Sequence, residues 1–274
     1  MDWLDAMVLG LVQGATEFLP VSSSGHLALS RHLLRVDAFA GSPLLLDIAL
    51  HLATLAAVVF VYRKDVAALL HGAVRLGTAI PSGQAAGVFR TNESARLLVF
   101  ILLATIPTGL IGIAMEQTGI AAAVGDHPHW LGAAFIAGAA ILLSSRFATG
   151  KTADMTAVTA LLIGLAQGIA VLPGISRSGT TIAVALLLKV ARPDAARFSF
   201  LLSIPAILGA ALLECSPAAL VDNPAAGPLL AGAAVAFTTG IAALLLLIRL
   251  VNNGRFWLFA PYVAAVGCAA IFFL

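Results

Sequence analysis

Leu19-Pro-Val-Ser-Ser-Ser-Gly25 and Pro173-Gly-Ile-Ser-Arg-Ser-Gly179 each interrupt a long apolar run, Trp3 to Leu34 and Met155 to Leu188. Irregular backbone at membrane depth is tolerated only where it is buried in protein or lines a wet cavity, because lipid offers no partner to free N–H and C=O groups. Both runs therefore read as re-entrant helical hairpins, 3–34 and 155–188, with their polar residues at the tips. The composition fits a bilayer setting. The chain has 274 residues, 15 basic and 13 acidic, and is 61% hydrophobic, with a mean hydropathy of +1.04. Soluble domains are about 25% charged and at most about half apolar.

Outside the hairpins, a spanning helix needs roughly 17 to 25 mostly apolar residues. Leu44 to Tyr62, Leu97 to Met115, His127 to Ser145, Phe198 to Leu213, Asn223 to Ile248 and Phe256 to Leu274 meet that requirement. The reading is an all-α polytopic membrane protein with six transmembrane helices plus two re-entrant helical hairpins. Basic residues accumulate on the cytoplasmic side, and they alternate here. Arg63, Lys64, Arg75, Arg90 and Arg96 share one inter-span stretch; Arg146 with Lys151, Lys189 with Arg192 and Arg197, and Arg249 with Arg255 occupy three others. Arg31 and Arg35 are exceptions. This orientation puts both termini outside and opens the hairpin junction toward the outer leaflet.

The two halves resemble each other. Gly10-Leu-Val-Gln-Gly14 recurs as Gly164-Leu-Ala-Gln-Gly168, and Ser22-Ser-Ser-Gly25 as Ser176-Arg-Ser-Gly179. Three spans lie between the hairpins, so the copies form an inverted-topology repeat within one membrane domain, 1–274: a first repeat, 1–128, and a second, 151–274. Such repeats with broken helices place a site near the midplane, where half-helix N-termini point at an anion.

Glu17 and Arg177 are charges at membrane depth, which are costly and mark function by default. An ion pair locking the hairpins accounts for both charges and leaves the surrounding hydroxyls and glycines unexplained. In Ser176-Arg-Ser-Gly-Thr-Thr181, hydroxyls and backbone N–H groups surround a guanidinium fork that matches phosphate oxygens. Ser23 and His26 share a helix face if the return helix starts near Ser22 or Ser23. An imidazole there would take the serine proton, with Glu17 orienting it or binding a divalent cation. Gln13 lies one turn before Glu17. His51, one turn after Asp47, reads first as a helix-stabilising hydrogen bond; His32, His71, His127 and His129 read as interfacial. Net charge +2 over apolar segments leaves no basic face for nucleic acid. Cys215 and Cys268 form neither a disulfide framework nor a zinc site. Met1 to Gly14 lacks a basic n-region and a cleavage site and is expected in the mature protein. Gly/Ala-rich faces permit a homodimer without demanding one.

Gln13-Gly-Ala-Thr-Glu-Phe-Leu-Pro-Val-Ser-Ser-Ser-Gly-His26 and Pro173-Gly-Ile-Ser-Arg-Ser-Gly-Thr-Thr181 closely resemble the two motifs of the bacterial undecaprenyl-diphosphatase family, the bacitracin-resistance phosphatases. Arg197-Phe-Ser-Phe-Leu-Leu-Ser-Ile-Pro205 extends the similarity, which covers essentially the whole chain. The resemblance implies an inner-membrane hydrolase that converts undecaprenyl diphosphate to the monophosphate and recycles the carrier for peptidoglycan. Its site would carry over to Glu17, Ser23, His26 and Arg177, with Gln13, Ser22, Ser24, Gly174, Ser176, Ser178, Gly179 and Thr181 around the substrate and Mg²⁺ or Ca²⁺ as cofactor. Many members carry Glu where this chain has Gln13, and a neutral amide cannot act as a carboxylate base. The alternative reading is a transporter or flippase of the polyprenyl phosphate carrier, since inverted repeats with midplane sites also serve transport.

Overall fold

A computed structural model describes residues 3–34, 43–148, 154–214 and 226–274. Arg35, Lys151, Cys215 and Asn223, the expected start of one span, lie outside the described residues. From the N-terminus the helices are α1 (Trp3–Phe18), α2 (Ser23–Leu34), α3 (Pro43–Val61), α4 (Arg63–Ala79), α5 (Ala85–Thr91), α6 (Glu93–Gln117), α7 (Ile120–Asp126) and α8 (Pro128–Ser144). They continue with α9 (Ala157–Ile169), α10 (Arg177–Leu187), α11 (Arg192–Glu214), α12 (Ala226–Asn252) and α13 (Ala260–Phe273), and no strand occurs among the described residues.

Five of the expected spans appear as helices long and apolar enough to cross a membrane: Glu93–Gln117, Pro128–Phe147, Arg192–Leu213, Ala226–Asn252 and Phe256–Phe273. The sixth, α3, bends by 85° into α4. The chain is thus an all-α polytopic membrane protein. Local chemistry sets the ends. Asn92 caps α6 by accepting from the Ala95 N–H at 2.9 Å, and Pro128 opens α8 where no N–H is needed. The basic stretch after Tyr62 is itself helical, where the sequence suggested only a connection. Arg197 of α11 fastens it, donating to Asp65 of α4 at 2.7 Å and to Glu93 of α6 at 3.2 Å.

Helix pairing explains the repeated glycines. α1 lies along α12 and α9 along α6, while α8 pairs with α13. A Cβ on Gly10 would overlap the Gly232 carbonyl, and one on Gly14 the Thr239 hydroxyl. In the other half, a Cβ on Gly164 would strike Ala104 O and one on Gly168 would strike Ile111. Both pairs of small residues four apart let backbones meet, the packing that substitutes for a hydrophobic driving force in lipid. Thr108 exploits the closeness: next to Pro107, which has no N–H for the ladder, its hydroxyl contacts Ala104 O at 2.9 Å and Gly164 O at 2.8 Å.

The two breaks, 19–22 and 170–176, meet in the interior. Gly174, with φ of 93°, faces Leu131 O and Phe135 N too closely for any side chain. Ser22 Oγ accepts from the Gly174 N–H at 3.0 Å, and Ser178 Oγ donates to the Phe18 carbonyl at 2.8 Å. Each hairpin thus satisfies an orphan backbone group of the other. Phe18, Phe135, Phe198, Phe200, Leu142 and Ile182 belong to the buried hydrophobic core.

Candidate active site

Where the breaks meet, the first turns of α2 and α10 open onto a pocket of about 200 Å³. Ser22 precedes α2 in a left-handed conformation (φ 69°), and its Oγ accepts from the Gly25 N–H at 3.3 Å. Ser176 caps α10 and accepts from the Gly179 N–H at 3.1 Å. Two helix N-termini, each with partial positive charge, therefore face one cavity, and Ser22, Ser23, Ser24, Ser176 and Arg177 line it. This is an anion-binding arrangement.

Glu17, in the last turn of α1, is the hub. Its side chain is 4% exposed. One carboxylate oxygen pairs with the Arg177 guanidinium. The other accepts from Ser23 Oγ at 2.7 Å and from Gln13 Nε2 at 3.0 Å. A guanidinium offers five donors, so Arg177, half-buried at the rim, keeps others for a ligand. A hydroxyl bonded to a carboxylate and facing a guanidinium is equipped for attack on an anionic phosphorus centre.

The expected residues divide into two groups. Glu17, Ser22, Ser23, Ser24, Ser176 and Arg177 line the pocket. Gln13 is fully buried behind Glu17. Gly174 and Ser178 tie the hairpins together, Gly179 packs under Ser176, and Thr181 bonds back to Arg177 O and to Ser199 at 2.9 and 2.5 Å. These four frame the pocket without lining it.

His26 requires a correction as partner of Ser23. Its Nδ1 donates to the Ser22 carbonyl at 2.8 Å, and its Nε2 meets the Tyr262 hydroxyl at 2.9 Å, with the rings stacked at 5.8 Å. A carbonyl can only accept, so Nδ1 carries the proton and the phenol donates to Nε2. Both ring nitrogens are thus bonded to groups other than the Ser23 hydroxyl. In its place the pocket presents His51, whose Nε2 lies 3.9 Å from the Glu17 oxygen that holds Ser23. Thr16, Thr108 and Gln167 also line it. Gln167 is the repeat counterpart of Gln13, and that recurrence was the signal for it.

Among the described residues, no three His, Cys, Asp or Glu side chains gather to hold a metal ion. The Glu17 oxygens face a cation and two neutral donors, a set arranged around a carboxylate's negative charge. These residues do not fit a protein-held divalent ion.

A family model described as bacitracin resistance protein BacA matches residues 6–269. The chain is 44% identical over 276 residues to the undecaprenyl-diphosphatase of Desulfatibacillum aliphaticivorans, covering 99% of this chain and 98% of that relative. It is 41% identical to that of Desulfosudis oleivorans, with 97% of each chain covered. To the enzyme of Salinibacter ruber it is 36% identical over the full length of both.

Proposed function

The chain belongs to the bacitracin resistance protein BacA family, and from that premise we propose that it hydrolyses undecaprenyl diphosphate to undecaprenyl phosphate and inorganic phosphate at the junction of its two hairpins. The observation that carries this reading is the Ser23 hydroxyl, 2.7 Å from Glu17, in a pocket that also holds Arg177. Arg177 and the N-termini of α2 and α10 bind the terminal phosphate. Ser23 Oγ forms a bond to the terminal phosphorus as its proton passes to Glu17. The bond from that phosphorus to the bridging oxygen breaks, and the lipid monophosphate leaves. Water then hydrolyses the phosphoserine, releasing phosphate and restoring the hydroxyl. Each stage develops charge beside fixed donors, where preorganised electrostatics act most strongly.

Mg²⁺ or Ca²⁺ would accompany the diphosphate substrate as its counter-ion. Ala206, Ile207, Ala210 and Ala211 of α11 give the pocket an apolar wall, suited to the first units of a prenyl tail.

The same reading takes the hairpins as re-entrant, the crossings as six and the halves as an inverted repeat. The exchange in packing supports it: α1 rests on α12 of the other half as α9 rests on α6. Basic residues place Arg63 to Arg96 inside, so in a bacterial inner membrane the site opens to the periplasmic side. A carrier or flippase is not favoured, because it needs anion ligands but no nucleophile bonded to a carboxylate. Phosphate release from undecaprenyl diphosphate by purified protein, with and without EDTA and Mg²⁺, tests the proposal. Release is expected from wild type and not from Arg177→Ala. No release from folded wild type under any of these conditions returns the carrier reading.

A further inference from the structure

Glu17 has neighbours of different kinds on its two sides. Gln13 is an amide and can neither accept nor pass on a proton at the catalytic pH. His51 can do both. Its Nδ1 lies 2.8 Å from the Asp47 carbonyl one turn earlier, and a carbonyl only accepts, so Nδ1 holds the hydrogen. Nε2 is left with its lone pair on the pocket side, 3.9 Å from the Glu17 oxygen that bonds Ser23. The hydrogen bond to Asp47, which by itself is ordinary helix chemistry, therefore also sets the tautomer.

We propose that His51 is the terminal proton acceptor of the site, acting through Glu17. The proposal rests on the hydrolytic reading above. As the Ser23 oxygen bonds phosphorus, its proton moves to Glu17 and on to His51 Nε2. With the proton on the ring, Glu17 stays anionic opposite Arg177. The imidazolium then releases that proton to solvent; when water attacks the phosphoserine, one water proton takes the same path to the neutral ring and returns through Glu17 to the Ser23 oxygen as its bond to phosphorus breaks, and phosphate leaves. The 3.9 Å separation suits a free enzyme, since catalytic hydrogen bonds often tighten only in the substrate complex.

The charged groups around His51 are few, and on its own helix Asp47 stands one turn before it. Glu17 of α1 and Arg177 of α10 share its pocket, and α6, α9 and α11 present Thr108, Gln167 and aliphatic side chains there. α12, packed along α3, carries Arg249 in its last turn as its titratable group. α4 with its basic residues leaves α3 after Val61, roughly 15 Å along the helix from His51. The acceptor must be neutral to work, and a general base of this kind gives an acid limb in the pH–rate profile.

The test is the pH dependence of kcat and KM for undecaprenyl diphosphate hydrolysis by the full chain in detergent, in wild type, His51→Gln and His51→Ala. Thermal unfolding confirms that each variant is folded. In His51→Gln, kcat is expected to fall by about 10²-fold with KM little changed, and the acid limb of the wild-type profile should vanish. Added imidazole should restore turnover to His51→Ala in proportion to its neutral form, and Gln13→Glu in the His51→Gln background should recover at least about tenfold, since a carboxylate then flanks Glu17. A folded His51→Gln enzyme that keeps both the wild-type kcat and the acid limb overturns the proposal. So does His51→Ala that loses turnover and does not respond to imidazole while Gln13→Glu gives no recovery. Loss of the acid limb without any phosphoserine in wild type contradicts the Ser23 route and supports His51 as acceptor from an attacking water.

Discussion

The two hairpins share one frame and carry different chemistry. Gly10 and Gly14 match Gly164 and Gly168, Gln13 matches Gln167, and the capping Ser22 matches Ser176. Both sets do equivalent structural work: close helix contact, a buried amide, a capped helix start. At the pocket the match stops. Glu17 stands where the second copy has Val171, and Ser23 where it has Arg177, and all four line the cavity. The two matching stretches thus bring Glu17 and Ser23 to the cavity from one side and Arg177 from the other. Neither hairpin holds a complete site.

That division predicts unequal consequences of mutation. The largest belongs to Ser23→Ala, which should reduce kcat by about 10⁴-fold or more, as loss of a nucleophile does elsewhere; a fall of only a few-fold would reduce Ser23 to a phosphate ligand. Arg177→Ala should cost about 10³-fold. Arg177→Lys, which keeps the charge and loses the fork, should cost about 10²-fold in steady-state assays. Val171→Glu tests the asymmetry directly. A second carboxylate facing the anion should raise KM roughly tenfold, about 1.4 kcal/mol, with a smaller change in kcat.

Changes to the shared frame should read out as stability and appear in both halves. Gly10→Leu and Gly164→Leu each force a helix pair apart, with an expected loss of about 1–3 kcal/mol visible in thermal unfolding. If one destabilises and its counterpart does not, the frames are not equivalent. The smallest effect is expected for Tyr262→Phe, which removes the hydroxyl that holds His26. It should lower stability by about 1 kcal/mol and leave turnover within a few-fold of wild type.

Much of this was legible in the sequence because the bilayer imposes a length and an apolar composition, and because Pro, Ser and Gly clustered inside such a run break the helix where lipid alone would not permit it. The helices at 93–117 and 226–252 follow from the length rule. The assembly of Glu17, Ser23 and Arg177 was legible for a related reason, since lone charges at depth need each other. The direction of His26 was not. Its spacing of three from Ser23 is right for a shared face, yet the ring is held by Tyr262, which arrives from the last helix of the chain. His51 offered a local partner in Asp47, and its approach to Glu17 depends on α3 packing against α1. Ser178 and Thr181 looked like ligands in a hydroxyl-rich motif. What sequence could not reveal is that the facing hairpin and Ser199 use those hydroxyls. The basic stretch 63–79 lacks the apolar continuity of a span, and its helix is fastened by Arg197, far along the chain.

The central claim is that Ser23, activated by Glu17 and set against Arg177, forms a covalent bond to the terminal phosphorus. Rapid-quench trapping with undecaprenyl diphosphate radiolabelled in its terminal phosphate tests it most directly. The account predicts label on Ser23 during turnover, increased when the second step is slowed, and none on Ser23→Ala. Full hydrolysis with no label on the protein at any quench time would contradict it.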